Sequence, residues 1–371
     1  MFSLAFRNLF QNRLRMVLSV GGVGLALLLT ISLDAIVSGY ETQLTAYIER
    51  SGADVWVSQE GVKNLHMAAS AVPQQLADQM RSVQGVQSVT PILYMGNMVA
   101  VGTQKRLSYI IGLPANPMAG APWSVEGTRV PSAGQVVVDR LLADQLGARM
   151  GDRVDILGTS LTIAGLSHGT ASIVSYVSFI SEQDFRQLRP NPGAVSFLLV
   201  KASPGQSAAN LAQRLSQAFA GVTIQTAQEF AQSERQIVRD MSTDVINAMS
   251  LVGFAIVLAV MALTIYMATL ARRSEYGVLK ALGASNANIY EVVLWQALLS
   301  VALGDVLAVV GSLAIAAVVP IFQPLLSLVV TPESLLRTAA IAVVIATLAA
   351  VLPIWQVSKL DPVSVFRRRY A

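Results

Sequence analysis

Long apolar runs alternate with one extended polar stretch along this chain. Four runs, at 16–39, 241–271, 292–319 and 335–357, are continuous enough to span a hydrocarbon core, which takes ~20 residues as helix. Between the first and second, residues 40–240 change pattern. "ADVWVSQ" and "SVTPILYMGNMVAV" alternate as strands, and "VPQQLADQMRSV" has helical spacing. "GQVVVDRLLADQLGARMGDRVDILGTSLTIAGLS" reads as strand, helix and two strands with glycine turns. "VSFLLVKA", "SAANLAQRLSQAF" and "VTIQT" add strand, helix and strand. The expected fold is an α-helical membrane protein with four transmembrane helices plus a large α+β extracytoplasmic domain inserted between helices 1 and 2. That domain divides into two lobes, residues 50–110 with 193–226, and residues 111–192.

Helical spacing runs unbroken from Ala227 to Ala271. At ~1.5 Å per residue such a helix reaches ~67 Å, about twice a ~30 Å core. One rod would then carry motion between the outer domain and the membrane, and "SGYETQLTAYIER" extends the first span in the same way. The alternative is a break near Asp240–Asp244. In residues 1–15, Phe2, Phe6, Leu9, Phe10 and Leu14 share one helical face, with Arg7, Asn8, Gln11, Asn12 and Arg15 opposite. Both an amphipathic helix in the cytoplasmic interface and the basic flank of an uncleaved signal anchor fit that pattern. The outer loop 320–334 ends in "TPES", an N-cap Thr331 with Pro332 at the first helical position. The third span carries Ser300, Gly304, Ala308, Ser312 and Ala316, and the fourth Ala342, Ala346 and Ala350. Small residues at every fourth position let helix backbones approach closely in lipid. Tyr290, Trp295 and Trp355 sit where an interfacial aromatic belt is expected.

Charge fixes the orientation of these spans. Only 13% of residues are charged against 53% hydrophobic, far from a soluble domain. Residues 40–240 hold fifteen basic and fifteen acidic residues, so the net charge of +4 resides in and beside the membrane segments. That distribution argues against a nucleic-acid partner despite the basic total. Basic residues cluster at Arg7, Arg13 and Arg15, at Arg272, Arg273 and Lys280, and at Lys359, Arg367, Arg368 and Arg369. The positive-inside rule then puts both termini, the loop 272–291 and the tail 358–371 in the cytoplasm, and residues 40–240 outside.

Little chemistry is written in the chain. There is no cysteine, and no lysine follows a glycine, so a phosphate-binding loop is absent. His66 and His168 stand alone and are expected to be solvated or capping, not metal ligands. No catalytic triad or cofactor motif stands out, and the chain is not expected to be an enzyme. Asp305 is the one acid deep in a span. An intramembrane carboxylate is costly, so it is either functional or hydrogen-bonded to a neighbour such as Thr30 or Ser32.

The loop "RRSEYGVLKALGASNANI" suits a short amphipathic helix stopped by Gly283. It could be a plain connection or a helix laid in a partner's groove. It resembles the cytoplasmic signature of the FtsX-like permease family, in its MacB-type branch. "SKLDPVSVFR" resembles that family's ending, "LAFRNLFQNRLRMVLSVGGVGLA" its opening, and the "GQVVVDRLLADQLGARMGDRVDIL" stretch its outer domain. The resemblance implies the permease subunit of an ABC transporter in the bacterial inner membrane. It implies a partner ATPase that binds ATP and Mg, since no ATPase is fused here, and a second permease subunit as homodimer or heterodimer. The element Glu275, Tyr276, Gly277, Val278, Leu279, Lys280, Ala281, Leu282 and Gly283 is implied to dock in that ATPase. Membrane lipid, and a periplasmic adaptor or lipoprotein, complete the implied partners; the cargo is an amphiphile, peptide or lipoprotein to export or extract. "GYETQL" also resembles the lipoprotein-releasing branch, which leaves the cargo class open. Two other classes stay in view: a regulatory transducer that activates an outer partner without transport, and an ion-coupled carrier through Asp305.

Overall fold

The computed structural model describes residues 2–11, 13–172, 175–190 and 193–358. Helices are α1 (Phe2–Phe10), α2 (Arg13–Arg50), α3 (Gln75–Arg81), α4 (Arg140–Leu146), α5 (Glu182–Leu188), α6 (Ala208–Ala218), α7 (Ala227–Ala271), α8 (Arg273–Ala281), α9 (Asn286–Phe322) and α10 (Pro332–Ser358). Strands are β1 (Val55–Gln59), β2 (Val72–Pro73), β3 (Val86–Val101), β4 (Gln104–Leu113), β5 (Val125–Gly127), β6 (Gln135–Asp139), β7 (Arg153–Ile156), β8 (Thr159–Ser167), β9 (Tyr176–Ser181), β10 (Ala194–Val195), β11 (Phe197–Ala202) and β12 (Val222–Thr226). The chain forms two compact units, one of Gly39–Met241 with Gln323–Leu326, the other of the remaining helical segments.

The helical unit contains the parts of α2, α7, α9 and α10 that are long and apolar enough to cross a membrane. Its core is a seam of small and branched residues, among them Val23, Leu27 and Ile31 of α2, Val257 and Met261 of α7, Ala297 and Ala308 of α9, and Ala342 and Ala346 of α10. Glycine decides how close α2 and α9 come. A side chain on Gly304 would lie 2.8 Å from Val23 Cγ1 and 3.1 Å from the Gly24 nitrogen, and one on Gly24 would lie 3.2 Å from the Gly304 oxygen. α9 begins before residue 292 and ends beyond 319, because polar Asn286–Glu291 and apolar Val318–Phe322 both continue the helical pattern. At the start of α10 the Ser334 amide donates to Thr331 Oγ1 at 3.1 Å, the capping that "TPES" predicts. The ending "SKLDPVSVFR" lies outside the described residues from Lys359 onward.

The second unit is built on one 10-stranded sheet in the order β12-β1-β11-β3-β4-β9-β6-β8-β5, with β7 pairing β3 and β8. Strand alternation sends Val55, Val57, Leu198 and Val200 to one face, and Trp56, Phe197 and Leu199 to the other. The first face is covered by α3, α4 and α6, through Met80, Leu142 and Leu211 among others. The second is covered by Tyr47 and Ile48 of α2 and by Phe230 and Ala231 of α7. Trp56, 1% exposed, stacks on Phe230 with centroids 5.0 Å apart. Strands of the two expected lobes occupy opposite ends of the path. They meet where β4 runs parallel to β9 and where β3 pairs β7, so hydrogen bonding is continuous across the meeting line.

Candidate coupling site

α8 is the short helix between two spans. Its nine residues carry apolar side chains on both sides, and they separate into two groups. Tyr276 is 2% exposed and Gly277 is buried, so these two hold the helix against the rest of the chain. Burial pushes the Tyr276 phenol above its ordinary value, so it stays neutral. Val278 is 43% and Leu282 80% exposed, and Glu275 and Ala281 also reach the surface. Val278 and Leu282, four residues apart, are neighbouring exposed apolar side chains at the end of α8, the feature a groove would cover. The Leu279 side chain lies outside the described set. Gly283, at φ 97°, takes the left-handed turn that ends α8, and its amide donates to the Lys280 carbonyl at 3.0 Å. Arg272 binds Glu275 at 3.1 Å and also donates to Gln11, which ties the start of α8 to the segment after α1.

α1 packs with Ala5 and Leu9 inward, while Phe2, Phe6 and Phe10 remain 41–49% exposed. Phe2 meets Trp295 of α9 edge-on at 5.4 Å. The apolar stripe is thus split between protein and surroundings, as suits a helix lying in lipid headgroups.

Within the helical unit Ser300, Gly304, Ala308 and Ser312 are all buried. Ser300 donates to the Gln296 carbonyl and Ser312 to the Val309 carbonyl, so their hydroxyls are spent inside α9 and leave an apolar contact strip. Asp305 is half-buried, with Oδ1 enclosed and without a hydrogen-bond partner. The expected bond from Thr30 or Ser32 is not formed. Thr30 donates to the Ala26 carbonyl of its own helix at 3.1 Å, and the Ser32 hydroxyl is likewise enclosed without a partner. Asp34 instead pairs with Arg337 of α10.

Sequence reasoning missed the polar clamp in the second unit. Glu41 accepts two bonds from Arg239, at 2.8 and 3.0 Å, and Glu49 pairs with Arg235. Arg235 also donates to Thr45 at 3.2 Å. Glu41, Thr45 and Glu49 recur every four residues on α2, and Arg235 and Arg239 do the same on α7, so two matching stripes face each other. Of the two roles expected of His66, solvated or capping, the first is not met. Its side chain is 9% exposed, and Nδ1 donates to Oε1 of Glu234 at 2.9 Å. Glu234, 1% exposed, also accepts from the Leu65 amide at 2.6 Å, so α7 holds the loop after β1 by two bonds to one carboxylate. His168 pairs with Glu126 at 2.8 Å at the surface. Among the described residues no group of His, Asp and Glu has the arrangement of a metal site.

Four helices long and apolar enough to cross a membrane, with one mixed α+β unit between the first and second in chain order, place the chain in the class of membrane proteins. Residues 16–218 match the MacB-like periplasmic core domain and residues 247–362 the FtsX-like permease C-terminal domain. The chain belongs to the FtsX-like, MacB-type family of ABC transporter permeases. It is similar to an uncharacterised ABC transporter permease of Mycobacterium tuberculosis, 23% identical over 368 residues and 99% of each chain. A second from the same organism is 23% identical over 372 residues, again 99% of each chain. Among solved structures, the periplasmic region of MacB from Actinobacillus actinomycetemcomitans is 14% identical with a TM-score of 0.37, covering 50% of this chain and 94% of that one.

Proposed function

We propose that this chain is the inner-membrane permease subunit of an ABC complex that turns ATP-driven motion of a cytoplasmic ATPase into motion of its outer domain. Both termini and α8 face the cytoplasm, by the charge distribution. The ATPase, with ATP and Mg bound to it, grips α8. A second permease subunit completes the pair of docking sites. The cargo is an amphiphile, peptide or lipoprotein that is expelled or extracted, with an adaptor or lipoprotein partner outside. The observation that carries this reading is the division of labour in α8: Tyr276 and Gly277 are buried, while Val278 and Leu282 are left out. A helix anchored on one side with apolar side chains on the other is a helix-in-groove ligand waiting for its groove. Force applied to it enters α7 and α9 directly, since α7 ends at Ala271 and α9 begins at Asn286.

The test is co-purification of the permease with its ATPase, together with ATP-dependent cargo release from the reconstituted complex. Leu282→Asp places a charge where an apolar groove should close, and Leu279→Asp is its companion. Either change is expected to reduce ATPase recovery about tenfold or more while leaving the permease folded. Undiminished recovery with both changes would sink docking at α8. ATP-dependent binding of an outer partner with no cargo release would favour the transducer instead.

A further inference from the structure

The outer unit holds a cavity of about 330 Å³, between β3, β4, the end of α5 and the loop that carries His66. Its size lies at the low end of small-molecule sites, ~300–1,000 Å³, and is too small for a folded chain or a whole lipid. Two features give it a chemical character. One wall is aromatic. Tyr94 and Tyr109 stack with centroids 5.3 Å apart, and the His66 ring lies 4.6 Å from Tyr109. The other feature is a lone cation. Arg189 lines the cavity from the exposed end of α5 and makes no ion pair among the described residues. The aromatic wall is held rigid, because Nδ1 of His66 is committed to Glu234 of α7.

We propose that this cavity binds a small molecule made of a flat aromatic body and one anionic group. The body stacks on the Tyr109 ring and meets the His66 ring, tilted 60° to it, at an edge, and the anion meets the Arg189 guanidinium. The site lies wholly in the outer unit and stands whether or not α8 docks an ATPase.

Full-length protein in lipid nanodiscs, titrated calorimetrically with 2-naphthalenesulfonate against empty nanodiscs, tests the site. Saturable binding is expected, with the uncharged 2-naphthol bound about fivefold more weakly, since Arg189 is exposed and its ion pair is modest. Arg189→Gln should weaken the anion by the same factor and leave 2-naphthol unchanged. Gly96→Leu should abolish both, because Gly96 lines the cavity. The first carbon of that side chain is tolerated, lying 3.6 Å from the Tyr109 ring. If Gly96→Leu does not fold, Tyr109→Ala replaces it, with both ligands expected to weaken. No saturable binding to the wild type overturns the site, as does wild-type affinity in the cavity variant. Wild-type affinity of the anion in Arg189→Gln overturns the assignment of the charge.

Discussion

Two residues show how narrow the tolerances are. Gly304 and Gly24 face each other where α2 crosses α9, and any added carbon at 304 meets Val23 at 2.8 Å. Gly304→Val must separate the helices or force Val23 off its rotamer, at about 1–3 kcal/mol. The expected result is a lower thermal transition of the purified protein in detergent; an unchanged transition would mean that the two backbones are not in contact. Asp139 is the second case. It caps α4 by accepting from the Leu141 amide at 2.9 Å, and also takes two bonds from Thr170, at 3.1 and 2.6 Å. Burial pushes its carboxyl up, and the hydrogen bonds to Thr170 and Leu141 pull it back only in part. A raised acid costs nothing when protonated in both folded and unfolded chains. Its ionisation penalty develops as pH rises above the ordinary Asp value of 3.8, and is fully present once pH exceeds the folded value. Asp139→Asn titrates no longer, and its amide nitrogen meets the Thr170 amide, a loss of about 1–3 kcal/mol. Denaturation at about pH 4 and about pH 7 should show the deficit of the variant to be larger in acid. A deficit that grows toward neutrality would reverse this sign.

At the scale of elements, the paired stripes on α2 and α7 matter most. The Glu41 side chain is 8% exposed and that of Arg239 59%, so their bidentate pair is shielded on the carboxylate side and open to solvent on the other. Charge exchange tests whether the two helices work as one. Under the proposed coupling, Glu41→Arg alone is expected to lower cargo-coupled ATP hydrolysis severalfold and to destabilise the outer unit by about 1–2 kcal/mol, a figure reduced for the solvent exposure of Arg239. Adding Arg239→Glu should restore most of both. A double variant no better than the single one would show that the pairing is incidental. None of this was legible in the sequence, because Glu41 and Arg239 are 198 positions apart, as His66 and Glu234 are 168 apart. Pairing at such range leaves no local periodicity to find. What was legible is what local physics sets: the apolar runs, the alternation of β1, β3 and β11, the "TPES" cap and the Gly283 stop. The cap of α4 by Asp139 was within reach, since an aspartate between a strand and a helix is a common start signal. The inward turn of Tyr276 was not, because the spacing of α8 places apolar residues on both sides.

At the scale of the molecule, α2 runs for 38 residues and α7 for 45, each longer than any span requires. The surplus of each covers one face of the sheet, through Tyr47, Ile48 and Phe230. An ATPase bound at α8 and a ligand in the outer cavity would therefore act on the same helix, α7, the first through its end at Ala271 and the second through Glu234. The Leu282→Asp and Arg189→Gln experiments separate these two inputs, since each leaves the other contact intact. One further consequence comes from β4 and β9, which are bonded in parallel from Ser108 to Leu113. Venus-flytrap proteins close on cargo by bending a loose hinge between lobes. Here such bending would tear a ladder of backbone bonds, so the two lobes should keep their mutual angle and the unit should behave as one stiff plate.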